Sequence, residues 1–360
     1  MNIIHIDEQT GWRGGEQQAS WLLHGSWKRG HTVHIAARAA QPFIQGEHGG
    51  AEVAIHEVPL RNELDLGSAR KIAHIVKAHN IDILHAHTSH AHNIACIARW
   101  FAGRGKVVAH RRVSFPPKTN PFNRYKYKLP DQFVSVSQKV DDVLAEYGIA
   151  AAQRSVVYSA VDLERMNVAP IARSKIGVKD KVPLIVNAGA LVGHKDQETL
   201  LRAIPMVLDD FPDLQVVIAG EGVLRSNLET TIHELQLQNT VQLLGHRNDV
   251  PALVQAADRY VSSSWSEGLG TSVLEALACE TPVITGIAGG IPEMVLPDKT
   301  GYLVPSRDPQ ALAKAIIESL QRDDHARTMA KAGIQLVRDK FSVDTMVEGN
   351  LAVYEQLLKA

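Results

Sequence analysis

The chain has 360 residues, 45% hydrophobic and 21% charged, the composition of a globular protein long enough for two domains. No apolar run reaches the roughly 18 residues of a membrane helix. A formal net charge of −1 with no recognised binding module argues against a nucleic-acid partner. The near-neutral total conceals an asymmetry: residues 1–165 hold 20 Lys and Arg against 15 Asp and Glu, and the remainder 18 against 24. Thirteen of the 17 histidines also lie in the first part, so an anionic partner or membrane surface is expected there.

The opening residues, Met1 to Asp7, read as a first strand, because a basic leader and a long apolar stretch are both missing. Trp12-Arg13-Gly14-Gly15-Glu16 follows and opens a helix, and its two glycines let the backbone approach a ligand closely. Strands are predicted at 2–6, 32–37, 82–87, 106–109, 133–137 and 155–159. Helices fit 15–29, 68–79, 91–102 and 138–147. His85 and His87 share one strand face, yet no acidic residue or cysteine adjoins the run from His85 to His92. The spacing matches no common zinc site, and no metal is expected. His110-Arg111-Arg112 ends another strand. From His110 to Pro130 there are six basic residues, no acidic one, and interleaved Phe115, Phe122, Tyr125 and Tyr127. Prolines keep the first part of this segment out of helix. It suits a membrane interface or a phosphorylated glycolipid, or is a solvated basic loop. Cys96 and Cys279 lack a CxxC neighbour and read as buried thiols in a reducing compartment, so a cytoplasmic location is expected.

The second half repeats the alternation, with strands at 182–188, 214–219, 241–244, 259–263, 282–285 and 302–304. Helices are expected near 196–208, 223–235, 250–256 and 271–279, and helical tails over 309–322, 326–339 and 342–358. Alternating strands and helices imply parallel sheets with right-handed crossovers. The division expected is 1–165, 166–341 and a terminal helix 342–360 packing back on the first domain, with a polar linker over 162–181. Ligands of open α/β sheets bind at the carboxyl ends of strands, so the expected site is the cleft between the domains.

The densest motif is Ser266-Glu267-Gly268-Leu269-Gly270-Thr271-Ser272-Val273-Leu274-Glu275. A strand, a glycine loop and a helix start bring backbone N–H groups and a positive dipole end to one point, which suits phosphate. Glu267 precedes the loop and Glu275 lies about two turns along the helix. That layout matches sugar, diphosphate and ribose. The plain alternative is a capping Glu267 and a solvated Glu275. The apolar run around Glu275 weakens it, since a carboxylate there is costly without a partner.

This Glu-x7-Glu pattern resembles the retaining glycosyltransferases of family 4, and the resemblance covers nearly the whole chain. It implies the GT-B fold, an α/β architecture of two Rossmann-like domains facing each other across a cleft. It also implies a nucleoside-diphosphate-sugar co-substrate with no cofactor or metal. Lys195 matches the lysine of the family's Gly-Arg-Leu-x-x-x-Lys-Gly element, which begins here at Gly189, and Ala190 stands where the arginine belongs. Glu221 and Gly222 match an element near the nucleotide, and Arg247 and Val250 the loop that receives the base. The amides of Gly268, Leu269, Gly270 and Thr271 are expected at the leaving diphosphate, Glu275 at the ribose and Glu267 at the transferred sugar.

In the first half Gly14 and Gly15 match a loop over the donor phosphates. Trp12, Arg13, His87 and Arg111 are expected at the acceptor. The family's cleft histidine falls by strand register nearer Arg112 than His110. The catalytic set expected is Glu267, Lys195, Arg112 and His110. The acceptor implied is a glycan or glycolipid, phosphorylated and lipid-linked as in a lipopolysaccharide core, at an anionic inner membrane surface. Two other readings remain: a sugar-nucleotide epimerase or hydrolase of the same fold, and a non-catalytic nucleotide-sugar-binding protein.

Overall fold

A computed structural model of the chain describes residues 1–12, 14–39, 41–45 and 50–359. The chain divides into two compact units, Met1–Ala160 with Val343–Ala360, and Val161–Ser342.

In the first unit short runs rich in Ile, Val and Ala form seven strands: β1 (Asn2–Asp7), β2 (Thr32–Ala37), β3 (Val53–Glu57), β4 (Ile83–Ala86), β5 (Lys106–Arg111), β6 (Gln132–Ser135) and β7 (Arg154–Val156). All pair in parallel, in the order β3-β2-β1-β4-β5-β6-β7. The helices are α1 (Gly14–Lys28), α2 (Pro42–Gln45), α3 (Leu66–Ala78), α4 (Ser89–Ala102), α5 (Pro121–Lys126) and α6 (Gln138–Glu146). Central strands covered on both faces must be apolar along their length, and β4 is buried at every position. On one face Ile72 and Val76 of α3 and Ile94 of α4 pack on Ile4, Leu84 and Val107.

The second unit contains α7 (Leu163–Met166), β8 (Leu184–Ala188), α8 (Gln197–Leu208), β9 (Gln215–Ala219), α9 (Arg225–Glu234), β10 (Val241–Gly245) and α10 (Val250–Gln255). It continues with β11 (Arg259–Ser262), α11 (Thr271–Ala278), β12 (Val283–Gly286), β13 (Tyr302–Val304), α12 (Pro309–Gln321) and α13 (Asp323–Lys340). Its parallel sheet runs β10-β9-β8-β11-β12-β13. The last helix, α14 (Val343–Lys359), belongs to the first unit. There Val347, Leu351 and Tyr354 share a core with Ile3, Leu22 and Val108.

Both sheets are the doubly wound α/β kind expected from the alternation. Their strand order reverses beside β1/β4 and β8/β11, so the carboxyl ends of those strands open onto a crevice. Three expectations need correction. Edge strand β3 was not predicted, because its residues are mostly half-buried or exposed and do not read as a core run. Helix α5 forms where no helix was predicted, with Asn120 accepting from the amide of Asn123 at 2.8 Å. The segment 162–181 is no spacer, since α7 packs on α10 and α11 within the second unit. Asp162 starts α7 by accepting from the amides of Glu164 and Arg165.

Candidate active site

Each unit carries a cavity at the carboxyl ends of its strands. In the second unit a cavity of about 340 Å³ lies beyond β8, β9 and β10. It is lined by Gly189, Glu221, Arg247, Val250 and Glu275 among the residues singled out from sequence. Ala190 lines it too, and so do Arg165 and Ser272, which the sequence reading did not single out. Glu275 sits on α11 between buried Leu274 and Ala276 and lines the cavity. Burial pushes its pKa up, while the charges of Arg165 and Lys195 pull it back. Arg165 arrives from α7, so the presumed linker contributes a cation to the same cavity that Ala190 leaves without an arginine. The readable signal was Asp162, a cap residue before a helix-forming stretch.

Lys195 and Glu267 are brought together although 72 residues apart: Nζ donates to Oε1 at 2.6 Å, with side chains 18% and 11% exposed. Neither lines the cavity, but the Lys195 stem passes 3.6 Å from the Cβ position of Gly189, on the cavity wall. Two close backbone approaches fix this corner. A Cβ on Gly289 would lie 1.7 Å from the Glu267 carbonyl oxygen, and Gly290 donates to the Gly268 carbonyl at 3.1 Å. A Cβ on Gly220 would lie 1.9 Å from the Gly189 carbonyl oxygen. Any side chain at either position would drive the neighbouring loop away. Gly222 is likewise packed against the Leu191 backbone and does not line the cavity. Thr271 opens α11 behind Gly270 with no side-chain cap, which leaves the helix start facing its loop. Leu269 is buried. Arg247 is held by Asp249 in a two-point pair at 2.7 and 2.6 Å, and Glu221 accepts from Arg225 at 2.7 Å.

In the first unit a cavity of about 900 Å³ is lined by Gly15, His87, His110, Arg111 and Arg112. Gly14 begins α1 and does not line it. Trp12 is 40% exposed and donates to Gln17 at 3.2 Å, away from the lining. Arg13 lies outside the described residues.

At this cavity wall four imidazoles stack: His5 of β1, His85 of β4, His87 just after β4, and His110 of β5. His87 is 4.4 Å from His85 and 5.1 Å from His5 between ring centroids, and His110 is 5.2 Å from His85. Arg112 donates to the His87 carbonyl at 2.8 Å and contacts His87 Nδ1 at 3.0 Å. A guanidinium has only donors, so His87 Nδ1 accepts and its proton sits on Nε2. From there it is donated to His5 Nδ1 at 2.9 Å. His85 reaches Tyr354 of α14 on one side and His110 at 3.1 Å on the other. Burial is the first cause holding His85, His87 and His110 well below the ordinary histidine range, with Arg112 adding to it. Burial also draws Arg112 down to about 10, against the pull of Asp7 and Glu16.

The basic stretch is less free than its sequence suggests. Lys126 is buried, with its ammonium on Glu63 at 2.6 Å and Ser89 at 3.0 Å. Arg111 is buried and donates to the Tyr127 hydroxyl at 2.9 Å and to the Phe115 carbonyl. Lys118, Arg124 and Lys128 stay exposed beside Phe115, Phe122 and Tyr125.

Comparison with known proteins fits this layout. Residues 169–336 match the family model of glycosyl transferases group 1, and residues 12–165 match that of Glycosyltransferase Family 4. The N-acetyl-alpha-D-glucosaminyl L-malate synthase of Bacillus anthracis is 24% identical over 350 residues, covering 92% of this chain and 91% of that protein. A glycosyltransferase from Rickettsia africae ESF-5 superposes with a TM-score of 0.89 at 23% identity, over 99% of this chain and 98% of that one. Anabaena Alr3699/HepE, solved with UDP and glucose, gives 0.85 at 22% identity over the full length of both chains. The fold is therefore GT-B. With the two family models together spanning residues 12–165 and 169–336, the chain belongs to the family 4, or group 1, glycosyltransferases.

Proposed function

We propose that this glycosyltransferase moves a sugar, with retention of anomeric configuration and without a metal, from a nucleoside-diphosphate sugar to a glycan or glycolipid acceptor. The observation that carries the reading is the Lys195–Glu267 pair at 2.6 Å beside a cavity lined by Glu275. Without ligand each of the pair neutralises the other. When a diphosphate enters along Gly189 and the start of α11, the ammonium turns to it and Glu267 is released to accept from the sugar hydroxyls. Charge grows on the diphosphate as the glycosidic bond breaks, and that is where Lys195 and the helix start act. Arg165 supplies a second cation, in the role that Ala190 does not fill. Glu275 accepts from the ribose diol, and its raised pKa reflects burial that the diol's hydroxyls offset. Arg112, held by His87, and His110 face the acceptor side.

The acceptor we favour is phosphorylated and lipid-linked, as in cell-envelope polysaccharide or lipopolysaccharide synthesis, with the enzyme cytoplasmic and peripheral at the inner membrane face. Support for this comes from exposed Lys118, Arg124 and Lys128 beside Phe115, Phe122 and Tyr125, the mixture that favours an anionic interface. The test is to incubate the chain with labelled donor and a phosphorylated glycolipid in the presence of EDTA. A product whose new bond keeps the donor's anomeric configuration by NMR is expected. An inverted bond, or donor turnover that is the same without acceptor, contradicts the proposal.

A further inference from the structure

Three histidines that line neither cavity meet at the edge of the first sheet. His34 is buried on β2, His56 is half-buried on the edge strand β3, and His79 is exposed just past the end of α3. The parallel register sets His34 opposite Ala54 and His56 opposite Ala36. His34 and Ala36 are two residues apart, so both rings emerge on one face. They stack at 5.3 Å and 14°, with His34 Nδ1 3.0 Å from His56 Nε2. The ring of His79 closes the group at 4.7 Å from His34 and 5.4 Å from His56. One ring nitrogen from each residue lies within 4.8 Å of the other two.

We propose that His34, His56 and His79 form a binding site for a divalent transition-metal ion, with Zn²⁺ the best chemical match. Three imidazoles and no carboxylate suit Zn²⁺, Co²⁺, Ni²⁺ or Cu²⁺ and not Mg²⁺ or Ca²⁺, which require oxygen. Zinc–nitrogen bonds of about 2.0–2.1 Å in tetrahedral geometry put ligand nitrogens roughly 3.4 Å apart. The His34–His56 spacing is already near that value. Exposed His79 is free to swing the remaining distance, and its exposure leaves the fourth position to water. Imidazole binds the ion in its neutral form, so binding strengthens as pH rises. The ion would tie edge strand β3 to β2 and to the end of α3, a structural clamp separate from the transfer chemistry.

The other close trio, His5, His85 and His87, does not offer this. Arg112 occupies His87 Nδ1 and His5 occupies its Nε2, and a fixed guanidinium repels a dication.

The test uses the full chain without a histidine tag, stripped by chelator and titrated with Zn²⁺ and, separately, Co²⁺. One equivalent of Zn²⁺ is expected to bind and to raise the unfolding temperature, and Co²⁺ to give the visible bands of a low-coordinate site. His79→Ala and His56→Ala are each expected to weaken binding at least ~10-fold, the smaller end of what loss of a mere supporting group costs. Their unfolding in chelator should match that of the stripped parent, which shows intact folding. No bound equivalent, or binding of unchanged strength in both variants, overturns the proposal. The readout is metal binding and unfolding, so neither result depends on which sugar the enzyme transfers.

Discussion

Glu267→Ala is expected to lower sugar transfer by at least about 10³-fold at saturating donor, the scale on which one preorganised electrostatic group acts in a water-poor site. Two effects combine. On the proposed reading the carboxylate that positions the transferred sugar is gone, and Lys195 loses the partner that holds its ammonium at 2.6 Å, with its own side chain 18% exposed. Lys195→Ala removes charge compensation at the diphosphate and should cost 10²–10³-fold in kcat, again on the scale of one such donor. Because the two side chains form one contact, their losses should not add. The double variant is expected to be little worse than Glu267→Ala alone, as for groups that act as a unit. Fully additive losses would mean that the ion pair in the free chain has no part in how the two residues work.

Asp7→Asn is expected to stabilise the first unit at neutral pH by roughly 2–4 kcal/mol, since each pKa unit is worth about 1.4 kcal/mol. Asp7 ends β1 and is buried. Desolvation raises its carboxyl from 3.8 to about 7, with Glu16 and Glu8 adding to the rise. The Gln9 amide at 2.8 Å and Arg112 act against it. A folded-state pKa above the unfolded value means that the folded chain holds the proton more tightly. The stability linked to Asp7 is therefore fully present below about pH 4 and is lost as pH rises through about 7. Asparagine has the same shape, still accepts from Gln9, and never ionises. Denaturant unfolding of both proteins should give a gap that is small near pH 4, widens upward and levels off above pH 7. A gap that does not change with pH would mean that Asp7 stays ionised in the folded chain.

The architecture was largely legible because parallel α/β sheets write a strong signal. Central strands such as β1 and β4 are short, almost wholly buried runs built on Ile, Leu and Ala, and α4 between strands has a cap and one apolar face. What escaped was what only tertiary packing decides. Strand β3 is an edge strand that packs on one side only and lacks a core run. Arg165 lines the cavity of the second unit only because α7 folds onto α10 and α11; Asp162 marks the helix start, but nothing local reveals where that helix packs.

Lys126 looked like part of a free basic surface. Its partner Glu63 lies 63 residues earlier, beyond the reach of composition or periodicity. The histidines show the same limit. Alternation set His85 and His87 on one face, but the stack needs the β1/β4 register that pairs His5 with His85. The candidate site divides along this line. Lys195, Glu267 and Glu275 stand out by motif and by the cost of a carboxylate in an apolar helix. The cation of Arg165, in the cavity that Ala190 also lines, and the imidazole stack beside Arg112 belong to the three-dimensional arrangement alone.

The central claim is that the cavity of the second unit binds a nucleoside-diphosphate sugar through Glu275. Thermal unfolding of the chain with UDP-, GDP-, ADP- and CMP-sugars, with Glu275→Ala in parallel, tests it most directly. One nucleotide class should stabilise the parent by about 2.7 kcal/mol at a hundred times its dissociation constant, and the variant should show no such shift. Stabilisation that survives in Glu275→Ala, or none from any of the four classes, would contradict the account.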